Sequence, residues 1–385
     1  MGSHQKHTPL VKPDCGNFGR NEIAIMGTPC ANIRKLSYQL IEVLKKDYNI
    51  AYIDADHKHS DEGENIKLEG ALNSGASIDF TDKISFQQIN KKRTENQLQV
   101  RKSFSDQDLI IVNGNHFTAS RQILVIDPKK DLQKKSERIT DVLMILLNDS
   151  QLEIPDFLKT QLRNFNDIPV FTIKDVNHIS SIIRKKVLEN TPEIKGLVLA
   201  GGKSERMQQD KGLINYHGLP QREYVAGLLS KFCSEVYISC RPDQVDSIKS
   251  NFNPLPDTFS GLGPFGGITS AFRHDPNAAW LAIACDLPYL GEDTLDFLIS
   301  KRNPSKIATS FWDSDHKFPE PLVTIWEPKA YTEMLYFLSQ GYSCPRKVLI
   351  NSDIELIEAP DIHSLTNVNN PEEMKLALDQ VQHEK

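Results

Sequence analysis

The chain has 385 residues, 39% of them hydrophobic, and a formal net charge of −6. At about 150 residues per domain this length predicts two domains of ordinary size, and the composition excludes a disordered or fibrous chain. Residues 193–385 hold 18 basic and 26 acidic residues, and residues 1–192 are nearly balanced, so no basic excess indicates nucleic-acid binding.

The first half of the chain alternates predicted strands with predicted helices. The predicted strands are residues 22–26, 50–53, 109–112, 123–126, 142–147 and 170–173, and the predicted helices are residues 33–46, 157–165 and 179–188. This alternation is typical of a parallel sheet covered by helices on both faces. Thr191-Pro192 lies in the predicted linker.

A second cycle begins at Lys195. Its predicted strands are residues 196–200, 235–239 and 279–284, and its predicted helices are residues 224–232 and 294–300. We therefore predict an α/β chain made of two doubly wound, mostly parallel-sheet, Rossmann-like domains. Their predicted bounds are residues 1–192 and 193–385.

Several classes of protein are excluded by what the sequence lacks. No apolar run approaches the roughly 18–20 residues that a membrane helix needs, and the first residues lack a hydrophobic signal-peptide core. The six cysteines show no CxxC pair. We therefore expect a cytoplasmic protein with reduced thiols and no membrane partner. The basic residues 91–93, with Arg101 and Lys102, are predicted to be solvated surface.

The sequence LAGGKSERMQQDK, residues 199–211, carries the strongest chemical signal. Two glycines directly after a strand let backbone N–H groups approach a phosphate, because no Cβ intervenes. Arg206 adds a guanidinium fork and Lys211 a compact charge. The residues predicted to bind nucleotide here are Leu199, Ala200, Gly201, Gly202 and Lys211.

The pattern LAGGxSxRM followed by DK resembles the signature of nucleotidyltransferases, and most of all that of the molybdenum-cofactor guanylyltransferase family. The resemblance covers about residues 193–380. It continues with Asp257 before the loop GPFGG, with the segment ACDLP that holds Asp286, with Arg346, and with the segment NVNNPEE that holds Asn369. It implies a nucleotide-diphospho-sugar-transferase-like fold for the second domain.

The resemblance also implies a reaction. GMP would be transferred from GTP to the terminal phosphate of the molybdenum-molybdopterin cofactor, with release of pyrophosphate. Molybdenum-insertion proteins and molybdoenzymes would be partners. The implied roles are catalysis for Arg206, Lys211 and Asp286, magnesium binding for Asp286 and Asn369, nucleotide binding for Ser239, Asp257 and Asp286, and acceptor binding for Arg346.

Two features of this chain depart from the family pattern. Gln208 stands where the family usually has glycine, and Ser239 stands where it has an asparagine near the guanine. Other roles are also open: Asn369 is a good helix cap, Asp286 can cap a turn, and Arg346 can be a surface residue. Residues 261–266 form a literal GxGxxG, but no strand is predicted directly before it, which argues against a dinucleotide-binding oxidoreductase.

Two alternative functions remain open. The first is a nucleotidyltransferase for a different acceptor, such as a sugar phosphate or phospholactate, or one that uses CTP. The second is a catalytically weak binding or carrier protein of the same pathway. In that case Lys211→Ala or Asp286→Ala would leave biological complementation intact.

The first domain places a strand directly before a turn where a P-loop would lie. A Walker A loop needs glycine, lysine and a hydroxyl where this chain has Asn32, Ile33 and Arg34. Beyond this, the domain faintly resembles the P-loop accessory protein of the guanylyltransferase, with Asn113 in place of an acid. We predict a degenerate P-loop-like module that docks or delivers the cofactor without hydrolysing GTP. His57 and His59, at the expected His-rich strand end, are predicted to be polar surface residues.

Overall fold

A computed structural model describes residues 16–55, 70–92, 95–202, 210–249 and 251–383. The chain divides into two compact units, Met1–Asn190 and Thr191–Lys385. Both units are α/β with mostly parallel sheets, which confirms the predicted fold class. No helix within the described ranges combines the length and apolarity that crossing a bilayer requires. The predicted positions His57, His59, Arg93, Arg206 and Gln208 lie outside the described residues.

The N-terminal unit is built on a parallel sheet of six strands. The strands of this unit are β1 Glu22–Met26, β2 Ile50–Ile53, β3 Ile78–Asp82, β4 Gln87–Lys91, β5 Leu109–Asn113, β6 Arg121–Ile126, β7 Val142–Leu147 and β8 Val170–Thr172. The sheet has the order β2-β5-β1-β6-β7-β8, and β3 pairs with β4 in a separate antiparallel hairpin. The helices are α1 Cys30–Leu44, α2 Gly70–Asn73, α3 Gln97–Lys102, α4 Asp156–Gln161 and α5 Val176–Glu189.

The side chains of alternate residues in β1 pack on opposite faces of this sheet. Ile23 and Ile25 pack in the cluster that holds the buried stripes of α1 and α5, and Ala24 packs on the other face. Because helices or loops cover both faces, all five residues of β1 are buried. This explains why residues 23–26 form an unbroken apolar run rather than an alternating pattern.

The C-terminal unit is built on a mixed sheet of seven strands. Its strands are β9 Ile194–Leu199, β10 Val236–Cys240, β11 Asn253–Pro256, β12 Ala279–Ala284, β13 Ala308–Trp312, β14 Pro319–Trp326 and β15 Glu355–Ile357. Its helices are α6 Gln221–Leu229, α7 Pro264–His274, α8 Glu292–Ser300, α9 Ala330–Ser339, α10 Pro345–Ile350 and α11 Pro371–His383. The sheet has the order β11-β10-β9-β12-β14-β13-β15, and only β14 runs antiparallel to its neighbours.

The strand order reverses at β9. From β9 the chain adds β10 and β11 on one side and then crosses to add β12 on the other. In open α/β sheets, a crevice forms at such a switch point, outside the carboxyl ends of the strands, and ligands bind there. The topology therefore makes the ends of β9, β10 and β12 the place to look for a site.

The structure has a strand at residues 253–256, where the sequence predicts none. They form strand β11 although Pro254 and Pro256 lie within it. Because β11 is an edge strand, the nitrogen of each proline can face away from the neighbouring strand, and no hydrogen bond of the ladder is lost. Residues 257–260 still separate the strand from Gly261, so the glycine segment does not open directly from a strand, as a dinucleotide fingerprint requires.

Two glycines let α7 approach the sheet closely. A Cβ on Gly266 would collide with the carbonyl oxygen of Phe259, and a Cβ on Gly267 would lie 2.6 Å from Oγ of Ser239. Both positions are buried. The glycines therefore set how near α7 lies to the ends of β9 and β10.

We expect Gly266→Ala to destabilise the C-terminal unit by about 1–3 kcal/mol, the usual cost of overpacking a buried site. Gly227→Ala is the matched control, because a Cβ there meets nothing within 4 Å and alanine gains about 0.5–1 kcal/mol in a helix. All three tryptophans, Trp280, Trp312 and Trp326, lie in this unit, so urea unfolding followed by tryptophan fluorescence reports on it alone. Equal stability of the two variants would contradict the packing argument.

Candidate functional site

Three neighbouring strand ends meet at the switch point. Leu199, the last residue of β9, lies opposite Ser239 of β10 on one side and Ala284 of β12 on the other. The loop that begins with Ala200 and Gly201 leaves β9 here, and Asp286 follows β12 by two residues. The fold thus brings the ends of these strands, with the predicted residues on them, to one edge of the sheet.

The first glycine of the turn is needed for a close approach. A Cβ on Gly201 would lie 3.1 Å from Oδ2 of Asp257, which follows the edge strand β11. The guanidinium of Arg241 donates to the carbonyl oxygens of Gly201 and Gly202 at 3.2 and 3.4 Å. The turn is therefore held between a carboxylate and a cation, and the cation was not identified from the sequence.

Ser239 and Asp257 form a buried pair beside this turn. Ser239 is 2% exposed, and its hydroxyl donates to Oδ1 of Asp257 at 2.7 Å. Burial raises the pKa of Asp257 above its ordinary value, and the hydrogen bond from Ser239 acts in the opposite direction. The two residues predicted to contact the guanosine are thus in contact with each other.

The raised pKa of Asp257 predicts a dependence of stability on pH. The contribution of Asp257 to the free energy of unfolding is fully present below the ordinary pKa of 3.8. It is lost as the pH rises through the higher pKa of the folded state. We expect the free energy of unfolding of the wild type, relative to Asp257→Asn, to fall as the pH rises from 3.8 and then to level off. Urea unfolding of both proteins at a series of pH values measures this. A difference that rises with pH would contradict the burial argument.

Lys211 joins two of the predicted site residues. Its Nζ donates to Oδ2 of Asp286 at 3.0 Å and to Oδ1 of Asn369 at 2.8 Å. The side chains of Lys211 and Asp286 are each about one-fifth exposed, at 19% and 18%. Three residues that are 75 to 158 positions apart in the sequence therefore meet at the end of β12.

Asp286 and Asn369 also offer the ligand type that Mg²⁺ prefers. Oδ1 of Asp286 is buried and finds no hydrogen-bond partner among the described residues. In the described part of the chain, no three His, Cys, Asp or Glu side chains form a metal-holding group. Mg²⁺ is usually held by one or two carboxylates together with substrate phosphates and water. The orphaned carboxylate oxygen of Asp286 and the amide oxygen of Asn369 fit this requirement.

The helix cap in this region belongs to the residue next to Asn369. The side chain of Asn370 accepts from the N–H of Glu373 at 2.9 Å and donates to its carboxylate at 2.7 Å, which is a capping arrangement at the start of α11. The side-chain oxygen of Asn369 turns to Lys211 instead. The alternative role of Asn369 as a side-chain cap is therefore not what the structure shows.

Arg346 lies in a separate cluster of charges. Its guanidinium is 3.5 Å from Glu320 and 3.8 Å from Asp313, and its side chain is 38% exposed. Burial raises the pKa of Glu320, and Asp286 lies within electrostatic range of that carboxyl. Arg346 is thus paired with two carboxylates, Glu320 and Asp313. Sequence analysis missed Glu320.

Two further polar residues contact each other just before Lys211. The amide of Gln244 donates to Oδ2 of Asp210 at 2.8 Å, and Oδ1 of Asp210 accepts from the N–H of Gly212 at 2.9 Å. Asp210 therefore caps the short 3-10 helix that begins at Lys211. Arg241 and Gln244 follow the carboxyl end of β10. Because the carboxyl ends of parallel strands lie at one edge of the sheet, this position in the sequence would have indicated them.

Comparison with known proteins assigns this region to a family. Residues 196–354 match the sequence profile of the MobA-like NTP transferase domain. A molybdenum cofactor biosynthesis bifunctional protein of Synechocystis sp. is 37% identical over 202 residues, which cover 52% of this chain and 58% of that protein. A molybdenum cofactor guanylyltransferase of Vibrio vulnificus is 29% identical over 189 residues, which cover 46% of this chain and 91% of that protein.

Solved structures resemble parts of the chain. Molybdopterin-guanine dinucleotide biosynthesis protein A from Archaeoglobus fulgidus is 22% identical, with a TM-score of 0.43, and the match covers 49% of this chain and 99% of that one. A MobB protein homolog from Bacillus stearothermophilus is 13% identical, with a TM-score of 0.32, over 44% of this chain and 99% of that one. With the sequence profile matched over residues 196–354, the C-terminal unit of this chain contains a MobA-like NTP transferase domain.

Proposed function

We propose that the C-terminal unit transfers GMP from GTP to the terminal phosphate of a molybdopterin cofactor and releases pyrophosphate. The observation that carries this proposal is the position of Lys211 between Asp286 and Asn369, beside the glycine turn at the switch point. The names of the relatives from Synechocystis and Vibrio vulnificus support the choice of substrates.

The chemistry follows from the charges at this edge of the sheet. A phosphate oxygen of the acceptor attacks the α-phosphorus of the nucleotide, and pyrophosphate leaves. Because a terminal phosphate is already anionic near neutral pH, the reaction needs positioning and charge neutralisation rather than a general base. Lys211 supplies a cation, and the backbone at Gly201 and Gly202 can approach the phosphates. Arg206, outside the described residues, is proposed to add a second cation.

Mg²⁺ bound by Asp286 and Asn369 would neutralise charge on the triphosphate. Lys211 contacts both ligand side chains, so they are oriented toward one point. We propose that Ser239 and Asp257 contact the guanosine and that Arg346 contacts the acceptor. The reaction would take place in the cytoplasm, with molybdenum-insertion proteins and molybdoenzymes as partners.

A panel of substrates tests the proposal. The full chain is incubated with GTP, CTP, ATP or UTP, each with molybdopterin cofactor, a sugar phosphate or phospholactate, and pyrophosphate release is measured. We expect release with GTP and molybdopterin cofactor. Release only with CTP would overturn the base assignment, and release only with another acceptor would overturn the substrate. No release with any pair would favour a carrier protein.

We further propose that the N-terminal unit binds or delivers the cofactor without hydrolysing GTP. Asn113, which stands in place of an acid, is fully buried and donates to Asp54 at 2.7 Å. Ile33, in the place of the P-loop lysine, is buried in the core. The Asp286→Asn variant is expected to disable nucleotidyl transfer, so any GTP turnover that remains can be attributed to the N-terminal unit. Steady conversion of GTP to GDP by this variant would contradict the proposal.

A further inference from the structure

The loop after β1 brings a thiol and an imidazole together in the N-terminal unit. Cys30 is the first residue of α1, and its Sγ lies 3.2 Å from Nε2 of His116, which follows β5. Cys30 is half-buried, and 13% of the His116 side chain is exposed. The pair thus lies within hydrogen-bond distance, and Cys30 is partly exposed.

A carboxylate lies next to the imidazole. Oδ1 of Asp54 is 3.8 Å from Nε2 of His116. Burial acts to raise the pKa of Asp54, but hydrogen bonds from Tyr52, from the N–H of Ala55 and from Asn113 leave it below its ordinary value. Asp54 is therefore negatively charged near neutral pH, and its charge lies where it would stabilise the imidazolium that forms when His116 accepts a proton.

Cations also lie near the pair. Lys135 is within electrostatic range of Cys30, and both Lys135 and Arg138 donate to the carbonyl oxygen of Asn115, whose side-chain amide is 3.5 Å from Sγ. Arg34 is paired with Asp54 at 3.2 Å. Lys135 and the N-terminal end of α1 thus place positive charge near Sγ of Cys30.

We propose that Cys30 and His116 form a nucleophilic pair that reacts with small soft electrophiles. The Sγ proton passes to Nε2 of His116, and the thiolate sulfur attacks the electrophilic carbon. A C–S bond forms and the leaving group departs with its electron pair. This is the arrangement of an activated nucleophile with an adjacent base, and it stands where a P-loop would hold phosphate. The nucleotidyl transfer proposed for the other unit does not use it.

Other cysteines of the chain provide internal references. Burial raises the pKa of the Cys240 thiol to about 11 and that of Cys233 to about 12, and it also raises the pKa of Cys285. These three are expected to react slowly. Cys344 is exposed, so accessibility alone predicts that it reacts faster than Cys30. The proposal predicts the opposite order.

The experiment measures alkylation of the full chain by iodoacetamide at pH 7, with the rate at each cysteine read from peptide masses. We expect Cys30 to react at least about tenfold faster than Cys344, and His116→Asn to remove this advantage without changing Cys344. A Cys30 rate at or below that of Cys344 would overturn the proposal. So would an unchanged rate in a His116→Asn protein that still melts cooperatively.

A second measurement covers the case in which His116→Asn does not fold. Wild-type alkylation rates are compared between pH 6 and pH 8. The charged groups that face the pair are Asp54, Arg34, Lys135 and Arg138. Hydrogen bonds leave the pKa of Asp54 below its ordinary value, and burial lowers the pKa of Lys135. We expect the rate at Cys30 to vary less with pH than the rate at Cys344. Parallel pH profiles at the two cysteines would overturn the proposal.

Discussion

Replacing Lys211 with methionine is expected to slow nucleotidyl transfer about 10²–10³-fold while the chain stays folded. Lys211 is the described cation that contacts both Asp286 and Asn369. Removing one preorganised charged donor from a reacting phosphate typically costs a factor of this size. Methionine keeps the length and the apolar stem of the side chain. Single-turnover rates of pyrophosphate release measure the effect.

The control for this variant is Lys231→Met, at an exposed lysine of the same unit that pairs with Glu292. It should leave the rate unchanged, because a surface ion pair contributes little to stability and Lys231 lies away from the strand ends. Thermal unfolding followed by tryptophan fluorescence checks that both variants are folded. A Lys211→Met protein with a wild-type rate would show that this cation has no part in transfer.

Replacing Asp286 with asparagine is expected to lower the rate about 10³-fold or more. The change removes the negative charge at the carboxylate whose Oδ1 is buried without a partner among the described residues, while it keeps the shape of the side chain. A bound metal ion contributes several kcal/mol to charge stabilisation, and each 1.36 kcal/mol corresponds to tenfold in rate. The variant should also need a higher magnesium concentration for half-maximal rate.

The control here is Asp315→Asn, at an exposed carboxylate 3.4 Å from Lys317. Its rate and its magnesium dependence should match those of the wild type. If Asp286→Asn lost activity but kept the wild-type magnesium dependence, Asp286 would act through Lys211 rather than through the metal.

The regular core of the fold was predictable because it consists of buried strands. Residues 22–26, 50–53, 142–147 and 279–284 were predicted as strands with the bounds that the structure shows. Each belongs to a sheet covered on both faces, so its sequence is an apolar run, with Glu22 at the start of the first strand as the one charged exception. The helices α1 and α5 were predicted within a few residues at their ends, since ends depend on capping rather than on apolar spacing.

The edges of the two sheets were not predictable in the same way. Strand β11 contains two prolines, which argue against a strand unless its place at an edge is known. The hairpin of β3 and β4 is largely exposed, so it lacks the apolar pattern of a buried strand. The antiparallel strand β14 depends on pairing with β12 and β13, which are distant in sequence.

The candidate site was predictable where a motif carried it and not where tertiary structure created it. The glycine turn, Lys211, Asp286 and Asn369 were selected from sequence patterns, and the structure brings the last three into contact. Arg241 and Glu320 were missed because each gains its place from strands that pair across the sheet. The cap of α11 was assigned to Asn369 as one alternative, although Asn370 provides it, because adjacent asparagines have equal capping propensity.

The central claim is that the edge formed by the ends of β9, β10 and β12 transfers a nucleotide. The most direct test supplies the full chain with magnesium, molybdopterin cofactor and GTP labelled at the α-phosphorus, and measures label in the acceptor. We predict transfer by the wild type and none above background by the double variant Lys211→Met with Asp286→Asn. Label in the acceptor at equal rates with both proteins, or with neither, would contradict the claim.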